Sequence, residues 1–64
     1  MSIGVKFEWV NGGKDVVIRS LSGNYLYTVQ NARVAFYNSD GSITVRGNAF
    51  ETVKISPNGI RSFS

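Results

Sequence analysis

The sequence predicts an all-β fold, a small antiparallel meander or barrel of about six to seven short strands. Three observations carry this. Large apolar residues alternate with small or polar ones at the start of the chain, where Ile3, Val5, Phe7 and Trp9 are separated by Gly4, Lys6 and Glu8. That period of two marks a strand with one buried face. Turn signals then recur at intervals of roughly 8 to 12 residues, and no segment shows a convincing helical period.

Taken in order, residues 3–10 form the first strand, which ends at Asn11-Gly12-Gly13-Lys14. These residues tolerate positive φ and suit a tight hairpin. Residues 15–21, rich in β-branched side chains, give the second strand. Ser22-Gly23-Asn24 turns it into a third strand over 25–30. Asn31-Ala32-Arg33 breaks the pattern before a short fourth strand at 34–37. Asn38-Ser39-Asp40-Gly41-Ser42 is the strongest turn signal in the chain, and residues 43–46 return from it. Gly47-Asn48 is either a bulge or a further turn. Residues 49–55 read as a strand on β-branched Thr52, Val53 and Ile55. Asn48 with Glu51 three residues later resembles a capping box, which keeps a short helix over 49–55 as the alternative. Ser56-Pro57-Asn58-Gly59 is a β-turn, and residues 60–63 add a last short strand. The sequence shows no internal repeat and no linker, so residues 1–64 read as a single small β domain.

Turn lengths decide which side chains share a face. With Gly12-Gly13 as a two-residue loop, Trp9 faces Val16, Phe7 faces Ile18 and Val5 faces Ser20. With Gly23-Asn24 as the next loop, Ser20 faces Tyr27 and Ile18 faces Val29. Both hairpins then place Ile3, Val5, Phe7, Trp9, Val16, Ile18, Tyr25, Tyr27 and Val29 on one face, the predicted core. The opposite face carries Lys6, Glu8, Val10, Val17, Arg19, Leu21, Leu26, Thr28 and Gln30. Its apolar members, Val10, Val17, Leu21 and Leu26, form a patch that predicts a subunit interface. Across Asp40-Gly41, Phe36 is expected to face Val45 in the core. Tyr37, Thr44, Ala35 and Arg46 then lie together on the other side.

Composition removes whole classes of chemistry. Without cysteine or histidine there is no disulfide, no thiol or imidazole catalysis and none of the usual zinc or copper sites. The carboxylates are Glu8, Asp15, Asp40 and Glu51. Asp15 and Asp40 read as turn residues, and nothing places Glu8 and Glu51 together. No enzymatic activity, metal or cofactor is expected. A chain of 64 residues buries only about 60% of the surface its unfolded form exposes. Self-association is the remaining aid to stability, so a homo-oligomer is expected. The N-terminus lacks an apolar run with a small-residue cleavage site, and no stretch reaches the roughly 18 apolar residues of a membrane span. With no cysteine, a cytoplasmic protein without a membrane partner is the expectation.

Seven basic residues against four acidic ones give a net charge of +3. Lys6 is expected opposite Arg19, with Glu8 as the diagonal counter-charge. Lys6, Arg19 and Arg46 as phosphate contacts, with Tyr37 as a stacking residue, define the leading functional reading. It is a non-catalytic oligomeric module that binds nucleic acid or another anionic polymer through a basic and polar sheet face. The alternative is a protein-interaction or assembly element, for example a viral or phage accessory protein or an inhibitor of a host factor. Val10, Val17, Leu21 and Leu26 would then form the contact surface. Ordinary surface charge and turn chemistry account for the same basic residues and for the asparagine-rich loops with no ligand at all.

Overall fold

A computed structural model describes residues 4–47 and 52–63. The described residues form seven strands in two antiparallel sheets. The first sheet holds β1 (Val5–Val10), β2 (Asp15–Ser20) and β3 (Tyr25–Val29), in that order. The second holds β4 (Ala32–Tyr37), β5 (Ile43–Gly47), β6 (Val53–Ile55) and β7 (Arg61–Phe63), again in chain order. The all-β antiparallel expectation holds, and the meander divides into two. Among the described residues the only helical element is a 3₁₀ turn at Asn11–Gly13. None of their helices is long and apolar enough to cross a membrane. Of the segment with a helical alternative, Val53–Ile55 is strand, and residues 48–51 lie outside the described part.

The division falls at Asn31, whose φ of 58° turns the chain out of β3; asparagine tolerates that region better than most residues. The Asp15 carboxylate accepts the Asn31 N–H at 3.2 Å, and Ala32 N–H donates to the Lys14 carbonyl at 2.8 Å. These bonds carry the chain past the start of β2 and into the second sheet. A single apolar cluster joins the sheets. Val5, Val16, Ile18 and Val29 come from the first, and Ala32, Ile43, Val45, Val53 and Ile55 from the second. Ile18, Ile43 and Ile55 are fully buried, each worth about 1.5–3 kcal/mol by transfer from water.

The first hairpin has the predicted register: Trp9 pairs with Val16, Phe7 with Ile18 and Val5 with Ser20. Its loop is the four residues from Asn11 to Lys14, an even number that leaves the faces unchanged. Trp9 was expected in the core but is 39% exposed. It stands on the core side of an edge strand, next to the strand's last residue, where cover ends.

The second hairpin departs from expectation. Val29 pairs with Val16 and Tyr27 with Ile18, and a bulge separates these from the Arg19–Tyr25 pair. The loop has three residues, closed by Ser20 N–H to the Asn24 carbonyl and Gly23 N–H to the Ser20 carbonyl, both at 2.9 Å. Gly23 sits at φ 99°, the left-handed glycine that three-residue hairpin loops commonly require. Tyr25 therefore moves to the outer face and is 58% exposed, whereas Leu26 turns to the core margin.

The same turn is built twice more. Asn38 to Ser42 and Ser56 to Ile60 repeat both backbone bonds, with Gly41 at φ 86° and Gly59 at φ 84°. The three glycines stand at 23, 41 and 59, each 18 residues after the last. This periodicity corrects the reading that no repeat exists. It escapes notice because Leu-Ser-Gly, Ser-Asp-Gly and Pro-Asn-Gly share little besides the glycine.

Candidate nucleic-acid interface

Loop parity decides where the expected site residues lie. The three-residue loop Ser39-Asp40-Gly41 pairs Tyr37 with Ile43, Phe36 with Thr44, Ala35 with Val45 and Val34 with Arg46. Phe36 was expected opposite Val45 in the core. The odd loop shifts the partner by one and turns β4 over. Phe36 instead lies on the outer face, 46% exposed.

Tyr37 moves the other way. It shares the inner side with buried Ile43 and packs at the rim against Phe7, ring centroids 4.9 Å apart and planes inclined by 38°. Its hydroxyl accepts the Phe7 N–H at 3.4 Å. Tyr37 thus fastens β4 to the free edge of β1, and the expected pairing of Tyr37 with Arg46 on one surface does not occur.

Lys6 and Arg19 do face each other on the outer side of the first sheet. Arg19 Nε donates to Glu8 Oε1 at 3.0 Å, and Nη1 donates to the Gly23 carbonyl at 3.3 Å. The diagonal counter-charge is where the sequence placed it. A groove of about 510 Å³ opens here, lined by Lys6, Phe7, Glu8, Val17, Arg19 and Gly23. Both members of the ion pair are well exposed, so it contributes at most about 1 kcal/mol. Two cations against one carboxylate leave this groove with one net positive charge.

Arg46 lies on the outer face of the other sheet, apart from Lys6 and Arg19. Its neighbours there form a second basic and aromatic surface, in addition to the one that Lys6, Arg19 and exposed Tyr25 make on the first sheet. Phe36, Thr44, Lys54 and Ser62 make one row across all four strands, and Arg46 opposite Val34 stands diagonal to Phe36. Val34, Phe36, Arg46 and Lys54 are all exposed. In the β4–β5 loop beside this row, the Asp40 carboxylate accepts Ser42 N–H at 2.9 Å and the Ser42 hydroxyl, and Lys54 Nζ lies 3.7 Å from its other oxygen. The Ser42 hydroxyl and then its amide hold the Asp40 carboxyl below its ordinary range, with Lys54 adding a smaller effect. Asn38 Nδ2 donates to Ser42 Oγ and Thr44 Oγ1 at 2.9 and 2.7 Å, which ties the turn to the sheet. Phe36 and Lys54 are the residues that sequence reasoning missed. The recurring left-handed glycine was the available signal.

The four residues expected as an interface do not form one patch. Leu26 packs on the core margin, and Val17 is buried in the floor of the Lys6–Arg19 groove. Val10 is half-buried beside the 3₁₀ turn. Leu21, half exposed on its loop, is the large apolar side chain left outside.

Comparison with family models, with curated proteins and with solved structures finds no match.

Proposed function

We propose that this chain is a non-catalytic binding module that takes an anionic polymer, nucleic acid foremost, on the outer face of its four-stranded sheet. The observation that supports this is an exposed aromatic side chain, Phe36, beside two exposed cations, Arg46 and Lys54, on one sheet surface. In this reading Arg46 and Lys54 neutralise phosphates and Phe36 supplies apolar contact. Lys6 and Arg19, on the other sheet, add to the general positive field that draws a polyanion in.

Salt titration of oligonucleotide binding tests it. The logarithm of affinity falls with the logarithm of salt by about 0.7–0.9 for each phosphate neutralised. Replacing both Arg46 and Lys54 by alanine is expected to weaken binding and flatten that slope. Absent or salt-insensitive binding overturns the reading.

One observation favours the assembly alternative. β4 is a six-residue edge strand with Val34 and Phe36 exposed on it, and open edges are sites of pairing with another chain. Light scattering separates the two. The assembly reading predicts an oligomer that Val34→Lys dissolves, whereas polyanion binding by a monomer survives that change.

A further inference from the structure

We infer that the ligand of this face is a single-stranded nucleic acid, with an unpaired base stacked on Phe36 and neighbouring phosphates on Arg46 and Lys54. The inference deepens the polyanion reading above and rests on it.

Shape gives the first argument. The row from Phe36 to Ser62 spans four strands, about 14 Å at the usual strand spacing. The duplex major groove, about 12 Å wide, admits a helix or a two-stranded ribbon. A duplex would therefore meet this face with its phosphates alone and leave Phe36 without a partner. A single strand offers both a base face and a phosphate chain.

The spacing of the groups gives the second. Arg46 is diagonal to Phe36 across one strand interval, and diagonal positions are about 7–8 Å apart. Lys54 is two strand intervals away on the same row, about 10 Å. The cations thus lie on different strands, displaced from the ring in different directions. That distribution suits an extended charge that runs past a stacked base and does not suit one compact anion.

The third argument is what surrounds the ring. Thr44 separates Phe36 from Lys54, so a small side chain leaves room for a base between them. No strand position on this outer face carries a carboxylate among the described residues. The nearest, Asp40, accepts from Ser42 through one oxygen and lies 3.7 Å from Lys54 Nζ through the other, a weak exposed pair that a phosphate can displace. Stacking on such a platform tolerates any base, because every base has a π-face.

Fluorescence anisotropy tests this with three probes: a short oligodeoxythymidine, a duplex of mixed sequence and heparin. The intact chain is expected to prefer the single strand over the duplex by about tenfold or more, the size of one stacking contact. Phe36→Ala is expected to lower single-strand affinity by about tenfold and to leave heparin affinity unchanged, with Phe36→Trp retaining both. Circular dichroism confirms that each variant is folded. Equal affinity for duplex and single strand, or a Phe36→Ala loss of the same size with heparin, overturns the stacking inference while polyanion binding stands. Failure to bind any of the three probes overturns both.

Discussion

The loop that joins β1 to β2 and the loop that joins β4 to β5 do the same work with opposite parity. The first spans Asn11 to Lys14 and keeps Phe7 and Trp9 on the side of Ile18 and Val16. The second spans Ser39, Asp40 and Gly41, an odd number; it sends Phe36 to the outer face and Tyr37 to the inner side, where it packs on Phe7 at the rim and stays 54% exposed. Side chains alternate along a strand, so one residue of loop length decides which face of the sheet an aromatic ring stands on. Here the count of loop residues, more than the identity of any one of them, sets which side chains of β4 stand on the outer face.

Breaking that count gives the largest expected effect. Deleting Ser39 forces Asp40-Gly41 into a two-residue loop and shifts β4 by one position. Phe36 then points into space shaped for Ala35, and overpacking follows. The deletion variant is expected to lose its cooperative thermal transition, read by circular dichroism. A transition at an unchanged temperature would show that the loop does not set the register.

Next in size is a contrast of two side chains placed by this turn. Ile43 is fully buried, and Ile43→Ala is expected to cost about 2–5 kcal/mol in denaturant unfolding. Phe36→Ala, on the outer face, is expected to cost well under half of that. Equal losses would return Phe36 to the core.

Glycine replacements sharpen the comparison further. Gly41 at φ 86° and Gly12 at φ 71° both lie in the left-handed region, where a Cβ costs roughly 1–2 kcal/mol. Gly12 has open space around a built Cβ, and at Gly41 the nearest atom is Pro57 Cγ at 3.5 Å, an ordinary contact. Gly41→Ala and Gly12→Ala are therefore expected to destabilise by similar amounts, through backbone strain alone. Asparagine at either position should recover part of the loss, measured in the same unfolding series.

The smallest effect concerns acid. Because the folded Asp40 carboxyl titrates below its ordinary value of 3.8, its contribution to stability is complete above that value. It is lost as pH falls from there through the folded value. Asp40→Asn is expected to flatten the stability profile in that acid window and to leave its slope near neutrality unchanged. A change of slope near neutrality would assign the effect to another group.

The sequence was most legible where residues alternate strongly. Val5 to Trp9 announces its faces unaided, and the β1–β2 register followed from it; Ile3, expected on the same face, lies outside the described residues. In β4 the run Val34, Ala35, Phe36, Tyr37 is apolar throughout, so the period of two is silent and only the loop can assign faces. An Asp-Gly pair suits two-residue and three-residue loops alike, and the two choices put opposite residues outside. The same ambiguity at Ser22-Gly23-Asn24 misplaced Tyr25 and Leu26. Of the residues expected to contact a ligand, Lys6 and Arg19 were correctly paired because their strand could be read. Tyr37, expected on the side of Arg46, stands on the opposite side, and its neighbour Phe36 shares the face of Arg46 instead.

The strand order also has a kinetic side. Among the described residues every ladder joins strands that are consecutive in the chain, so each closes a short loop at low entropic cost. The sheets meet across a single crossing at Asn31, and their shared core unites residues as distant as Val5 and Ile55. The topology predicts that the local ladders form before the contact between the sheets, an order that folding and unfolding rates of Ile43→Ala would check. Substitutions at the docked core will then act mainly by speeding unfolding. A chain caught between these events displays half-covered sheets with open edges, and dilute solution is where it will refold most completely.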